Sequence, residues 1–428
     1  LLFFKYVDQS VLISMERASA ILSHIQPSNS NSTPNTAATK SGEDIVIVTA
    51  VRTAICKGRR GYFNSTSATA LLTPVLKKIL ETGVDPKLIG DIVVGTVQAP
   101  GSLRHIECRM AGFVAGFPKE TCVSTVNRQC SSGLQAIADV AAAIRAGYYD
   151  IGVAAGVESM SLDSKFSWYA PLFNEVTKNE GARNCMTPMG ITSENVAEKF
   201  GITRVDQDTL AIQSHARAKA AEQRFKEEIV PVTTVWKDPK TGKQSKIVVD
   251  TDDGVRPGGT IEGLGKLKAA FKKGGSTTAG NSSQVSDGAA AALIMKRSTA
   301  DKLGLPVLGI LRSFVVRGCP PEIMGIGPAI AIPDAVKQAG LSLDDIDLYE
   351  INEAFASQAT YCVKKLGLSW DKVNVNGGAI ALGHPLGCTG VRMVATLLHE
   401  LKRRNKKRGI VSMCIGSGMG AAAVFERD

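Results

Sequence analysis

Cys130, in the segment VNRQCSSGLQA, stands where an apolar run ends and an amphipathic helical pattern begins. A thiol at a helix start faces unpaired backbone N–H groups and the positive end of the helix dipole, which favour its thiolate. A buried, inert cysteine is the commoner use of the residue, but Arg128, Gln129, Ser131 and Ser132 surround this one with polar groups and argue against an apolar pocket. Such a nucleophile could serve hydrolysis, redox chemistry or acyl transfer. His384, in NVNGGAIALGHPLGCTG, lies in a glycine-rich turn ahead of another helix, where its ring can reach a ligand; it is the natural base for Cys130. Cys414, in IVSMCIGSGMGAAAVF, follows a strand directly and precedes glycines whose amides can point at an oxyanion, so a thiol there could pass a proton. The GSGMG run is not a phosphate loop, since it leads into an apolar strand and no Lys-Ser/Thr follows it. Asn352, in EINEAFA, either holds a water or a carbonyl, or caps a helix. His105, His215 and His399 lie in polar or charged surroundings and read as solvated surface residues.

The elements that must position these groups alternate. From Asp44 short apolar runs such as DIVIVTAV and IGDIVVGTV take turns with helical patterns such as LLTPVLKKIL and a helix over 131–145 closed by Gly147. The pattern is α/β, with a sheet covered on both faces. It also repeats: GVDPKLIGDIVVGTV (83–97) echoes AGLSLDDIDLYEIN (339–352), each a helix and a strand, and the Cys130 and His384 segments both set a reactive side chain ahead of a Gly/Ser/Thr-rich helix start. Duplicated halves are the simplest account. Between them, over 161–284, lies a more polar stretch with two helical patterns, SENVAEKF and VDQDTLAIQSHARAKAAEQRF, and the charged KDPKTGKQSK; it reads as an inserted, ligand-facing loop domain.

A chain of 428 residues exceeds one hydrophobic core, so two or three packed units are expected. With 44% hydrophobic and 21% charged residues it is an ordinary globular sequence, and its net charge of +10 is spread along the chain, which fits an anionic small ligand as well as nucleic acid. The dense basic run over 402–408 follows an amphipathic helix pattern and reads as a solvated helix end. Nine cysteines without a C-x-x-C pair indicate neither a disulfide framework nor a zinc site, and suggest a reducing compartment. The opening LLFFKYVDQSVLIS is broken by Lys5, Asp8 and Gln9 and is too short and polar to span a membrane. Residues 1–14 are expected to be a translated leader ahead of Met15; Arg17, Ile21 and His24 then recur at helical spacing before the polar tether QPSNSNSTPNTAATKSGE.

The motifs VNRQCSSGLQA, NEAFA, GHPLG and CIGSGMG, in this order, resemble those of the thiolases over nearly all of residues 44–428. Ketoacyl synthases of the same superfamily pair the cysteine with His-His or His-Asn, whereas a second cysteine at 414 points to thiolase. PMGITSENVAE and TAGNSSQVSDGAAA most resemble the peroxisomal 3-ketoacyl-CoA branch, plant members in particular; short-chain members usually carry His before the Met that here follows Pro188. The Arg17/His24 pair resembles the N-terminal peroxisomal targeting nonapeptide, with Ala18 and Ile25 departing from it.

The resemblance implies a homodimeric thiolase fold in which two duplicated α/β halves form a layered αβαβα core. Its segments would be a leader, targeting segment and linker over 1–43, an N-terminal half over 44–160 completed by 285–307, a loop domain over 161–284 and a C-terminal half over 308–428. It implies that Cys130 carries the acyl group, His384 is its base, Cys414 the second acid/base, Asn352 a water holder and Gly416 an oxyanion donor. Met189, Ala270, Phe271, Ala279, Ser283 and Phe355 match coenzyme A-binding positions, with coenzyme A as co-substrate, no tightly bound cofactor and no metal. Ala269 stands where the family has proline, Cys388 where it has alanine, and Cys185 is placed to form an inhibitory disulfide with Cys130. The implied activity is thiolytic cleavage of 3-ketoacyl-CoA in peroxisomes, after import by a receptor that reads Arg17 and His24. The alternatives are a condensing acetoacetyl-CoA thiolase, a cytosolic location, or a catalytically silent acyl-CoA-binding protein.

Overall fold

A computed structural model describes residues 40–99, 103–163 and 174–428; the leader, Arg17 and His24 lie outside the described residues. The strands of the core are β1 (Ile45–Arg52), β2 (Ile89–Gly95), β3 (Cys122–Val126), β4 (Ile151–Ser159), β5 (Ser286–Lys296), β6 (Gly309–Gly318), β7 (Leu348–Ile351), β8 (Arg408–Ile415) and β9 (Met419–Glu426). Its helices are α1 (Ala68–Leu80), α2 (Leu103–Ala115), α3 (Ser132–Arg145), α4 (Met189–Phe200), α5 (Arg204–Ala221), α6 (Gly327–Gln338), α7 (Ala356–Leu366) and α8 (Leu386–Arg403). In β4 every residue is buried, which explains the continuous apolar run IGVAAGVES: a strand covered on both faces has no solvent side to alternate with.

In the first half the strand order is β3–β2–β4–β5–β1, with β2 parallel to β3 and β4, and β5 antiparallel to β4 and β1. The second half repeats it. Val373 bridges Tyr349 in parallel, and the order continues β7–β8–β9–β6, with β7 parallel to β8 and β9 antiparallel to β8 and β6. Counted within each half, both read third, second, fourth, fifth, first; the third strand of the second half has shrunk to one bridge. The halves meet edge to edge where β1 pairs β6 over only Val46↔Ile310 and Ile47↔Gly309. The echo at 83–97 and 339–352 is real, but each expected helix is a single 3₁₀ turn, Pro86–Leu88 and Leu343–Asp345, leading into β2 and β7.

Three apolar layers follow. Val46, Ile92 and Val153 pack with α1 and α2 on one outer face. Ile47, Val93, Val411 and Met413 enclose α3 and α8 between the sheets. Ile410 and Val424 pack with α6 and α7 on the other outer face. The result is five layers, α–β–α–β–α. Helix α8 is the clearest marker of the middle one: 14 of its 18 residues are buried, Arg392 and Glu400 among them, so the polar face of this amphipathic helix is covered as well as its apolar one.

Between β4 and β5, the fourth and fifth strands, the first half carries the stretch with α4 and α5, whereas the second half has only the turn 416–418 between β8 and β9. Helix α5 opens on a Thr203/Asp206 capping box, and α4 stops at Gly201 in the left-handed conformation. The charged KDPKTGKQSK bends between two paired strands, Val232–Lys237 and Gln244–Val249. The basic run after α8 is neutralised locally: Arg403 and Arg404 meet Glu400, Lys406 meets Asp347, and Lys407 and Arg408 meet Glu426. Among the described residues no helix is long and apolar enough to cross a membrane.

Candidate functional site

Glycines bring the two halves together. A Cβ on Gly133 would lie 2.6 Å from the carbonyl oxygen of Gly387, and one on Gly390 would lie 2.1 Å from the amide nitrogen of Leu134. The first turns of α3 and α8 therefore touch backbone to backbone. Cys130 and His384 each stand two residues ahead of these helices, so equivalent positions of the two halves deliver them to one end of the middle layer.

The turn before α3 is tied by side chains. Asn127 Oδ1 accepts from the Gln129 amide at 2.9 Å, and Ser132 Oγ accepts from the Arg128 amide at 2.9 Å while donating to the Gln129 carbonyl at 2.6 Å. Gln129 is held at φ +48°, a left-handed conformation that lifts the next residue out of the chain path. The Cys130 sulfur accepts from the Gly416 amide and from its own. Burial nevertheless pushes its thiol up to about 11, with the Glu158 carboxylate adding to the rise. This corrects the expectation of a resting thiolate: desolvation outweighs the helix dipole.

His384 is buried, and its Nδ1 lies 2.7 Å from the Thr389 hydroxyl, which donates in turn to the Pro385 carbonyl at 3.3 Å. With the hydroxyl proton so engaged, Nδ1 is the donor and Nε2 carries a lone pair that accepts from the Asn352 side-chain amide. Burial, with the Arg392 guanidinium nearby, pushes the ring down to about 3, so it rests neutral. Its Nε2 is 3.3 Å from Asn352 Nδ2, while Asn352 Oδ1 is buried without a partner. The cap reading of Asn352 fails, because the N-cap of α7 is Phe355. Cys414, fully buried at the end of β8, packs against Met324 and Ala354; burial and the neighbouring Cys130 push its thiol up.

The six remaining positions run as a rim from this centre. Met189 Sδ would be 3.7 Å from a Cβ on Gly416. Phe271 covers Gly190 and meets Phe355 edge to face at 6.2 Å. The Ser283 amide donates to the Ala354 carbonyl and the Ala270 amide to the Thr277 carbonyl, with Ala270 and Ala279 exposed. The next residue, Gln284, accepts from the His384 amide at 3.0 Å, which closes the ring back on the histidine. Cys185 is exposed, its thiol donating to the Gly181 carbonyl and lying 3.8 Å from that of Ser417; it and Cys130 are both free. Cys388 is a fully buried core thiol.

Two surface assignments need correction. His215 is half-buried, accepts from the Arg256 amide at 3.1 Å and is pushed down to about 4 by burial. His399 is also half-buried, 3.2 Å from the Ala50 carbonyl. Both sit on helix faces that other segments cover. The sequence reading missed Thr389 and Glu158. An acid closing an otherwise apolar strand, VAAGVES, was the available signal for Glu158. Among the described residues no cluster of His, Cys, Asp or Glu could hold a metal.

The family profile described as "Thiolase, N-terminal domain" matches residues 45–298 and "Thiolase, C-terminal domain" matches 305–427. The chain is 59% identical over 436 residues to the peroxisomal 3-ketoacyl CoA thiolase 1 of Petunia hybrida, covering 97% of this chain and 94% of that one. It superposes on the dimeric peroxisomal thiolase of Saccharomyces cerevisiae with a TM-score of 0.84 at 46% identity, covering 91% and 98% of the two chains. The human mitochondrial 3-ketoacyl-CoA thiolase in complex with CoA gives a TM-score of 0.80 at 37% identity over 90% and 98%. With both halves matched end to end and the same layered architecture, this chain belongs to the thiolase family.

Proposed function

We infer that this thiolase is a peroxisomal acyltransferase of fatty-acid β-oxidation, which cleaves 3-ketoacyl-CoA with coenzyme A to acetyl-CoA and a shortened acyl-CoA. The observation that carries the reading is one centre holding a thiol under the Gly416 amide, a second thiol beside it, and a neutral imidazole whose Nε2 is unprotonated and faces Asn352.

Cys130 attacks the 3-keto carbon as His384 Nε2 takes its proton. The C2–C3 bond breaks, its electron pair forms the acetyl-CoA enolate, and Cys414 protonates that carbon. Acetyl-CoA leaves and the acyl group remains on Cys130 as a thioester. His384 passes its proton to the Cys414 thiolate and takes another from the incoming coenzyme A thiol. That thiol attacks the thioester, and the departing Cys130 sulfur recovers its proton from His384. One oxyanion meets His384 and a water on Asn352, whose partnerless Oδ1 suits a water; the other meets the amides of Cys130 and Gly416. Met189, Ala270, Phe271, Ala279, Ser283 and Phe355 bind coenzyme A as a substrate, the apolar ones along its pantetheine arm. The catalytic halves span 44–160 with 285–307 and 308–428, the loop domain spans 161–284, and Arg17 and His24 are read by the import receptor.

Thiolysis rates over substrates of increasing chain length test the activity. Turnover is expected to extend well beyond the four-carbon substrate, and activity confined to four carbons would instead identify an acetoacetyl-CoA thiolase. The enzyme works as a homodimer. Among the described residues strand β3 is paired on one side only, and the neighbouring α2 exposes Leu103, Ile106, Met110, Phe113 and Val114, each between 47% and 62%. An open edge beside an apolar stripe is what a second copy would cover. Glutamates at both 110 and 113 are expected to yield monomers by sedimentation; an unchanged dimer would place the interface elsewhere.

A further inference from the structure

Glu158, the next-to-last residue of β4, is fully buried, yet among the described residues no cation is hydrogen-bonded to its carboxylate. It accepts from the amides of Gln98 at 2.9 Å and Val97 at 3.0 Å, from the Thr96 hydroxyl at 3.3 Å, and from the Gly387 amide in the first turn of α8 at 2.9 Å. An acceptor surrounded by N–H donors is the pattern an ionised carboxylate requires. The surroundings are closely packed. A Cβ on Gly156, two residues upstream, would lie 2.1 Å from the Gly387 carbonyl oxygen, and one on Gly95 would lie 2.4 Å from the carbonyl carbon of Ser132. Glu158 thus sits where β2, β4, α3 and α8 cross, on the first-half side of the joint that sets His384 against Cys130. Burial pushes the Glu158 carboxyl up, while the Gly387, Gln98 and Val97 amides and the Arg104 guanidinium pull it back down; as a carboxylate it adds to the rise at Cys130, at Cys108 of α2 and at Cys388 of α8.

We propose that Glu158 is a positioning residue of the thiolase reaction, which docks the first turn of α8 against the first half and keeps a carboxylate at the joint that sets His384 against Cys130. The proposal rests on Cys130 and His384 being nucleophile and base. The carboxylate joins the β2 turn to the Gly387 amide, three residues after His384, so the placement of the histidine relative to Cys130 depends on it as well as on the α3–α8 contact. Its negative charge also opposes a second one on the sulfur. A standing thiolate is disfavoured, and the thiolate forms only together with the imidazolium that compensates it.

Glu158→Gln keeps an acceptor oxygen and removes the charge. Thiolysis kinetics of this variant are expected to show kcat lowered by about tenfold to a hundredfold with KM within about threefold, the signature of lost geometry at the reacting atoms. Without substrate, the pH profile of Cys130 alkylation by iodoacetamide, read by peptide mass, is expected to move down by about one unit, a change that a merely structural defect would not produce. Glu158→Asp keeps the charge and shortens the arm, so kcat should fall while the alkylation profile stays in place. A wild-type kcat in either variant, or an alkylation profile unmoved in Glu158→Gln, overturns the proposal; should Glu158→Gln not fold, the kcat of Glu158→Asp decides alone. The wild-type control separates the two levels. If labelling Cys130 leaves thiolysis intact, the assignment of the nucleophile fails; if labelling abolishes it and the variants match wild type, only the role of Glu158 fails.

Discussion

Replacing Cys130 by serine is expected to lower kcat by about 10⁴-fold or more while coenzyme A still binds and the melting temperature stays close to that of the parent. The change is small in volume and leaves the Gly416 amide a partner, so the turn tied by Asn127 and Ser132 keeps its shape. What is lost is the chemistry. A hydroxyl holds its proton far more tightly than a thiol, and the base available is an imidazole that burial has pushed down to about 3. Such a ring can take a proton only from an acidic, polarisable donor that remains beside it as a counter-ion. Steady-state thiolysis and calorimetric titration of coenzyme A separate the two effects. A serine enzyme retaining about a tenth of the parent rate would show that Cys130 does not carry the acyl group.

The largest effect on stability is expected at Gly390. An alanine there sets its Cβ 2.1 Å from the amide nitrogen of Leu134 and 2.9 Å from the carbonyl carbon of Gly133. Both obstacles are backbone in another helix, so no rotamer change relieves them. The helices must part by more than an ångström, opening the layer packed on Val391 and Val394. A cost of about 4 kcal/mol or more follows, at the exceptional end for a single substitution. Differential scanning calorimetry should record a melting temperature at least about 8 °C lower, or soluble protein should be lost. Gly147→Ala is the matched control: its φ of +77° strains any side chain, but no atom lies within 4 Å, so about 1 kcal/mol is expected. Equal losses in the two variants would mean that the helix crossing is looser than its geometry states.

Much of this was legible in the chain before any coordinates. The position of Cys130 ahead of a helix, the glycine turn around His384 and the thiol at the end of the strand through Cys414 are local signals, because a helix start or a strand end is written in neighbouring residues. The duplication was legible for the same reason, as two segments of like pattern each read as a helix and a strand, of which the strands hold and the helices shrink to single turns. What escaped depends on residues distant in sequence. The Gly387 amide reaches a carboxylate 229 positions earlier, and nothing near either residue announces the other. The charge state of Cys130 was misjudged because its neighbours in sequence are polar, whereas its neighbours in space desolvate it. His215 and His399 looked solvated on helix faces that the 250–257 loop and the end of β1 in fact cover. Thr389 was visible in the motif, but that it sets the histidine tautomer follows only from the turn bringing it under Nδ1.

The bare contact between α3 and α8 also settles when the molecule becomes reactive. Each half contributes one member of the acid–base pair, and the sheets share only two residue pairs along their common edge, so the crossing helices align the pair. A newly made chain whose halves have formed but not docked therefore has a cysteine without its base and a histidine without its cysteine. With Cys130 as the proposed nucleophile and His384 as its base, acyl transfer requires that joint to be closed.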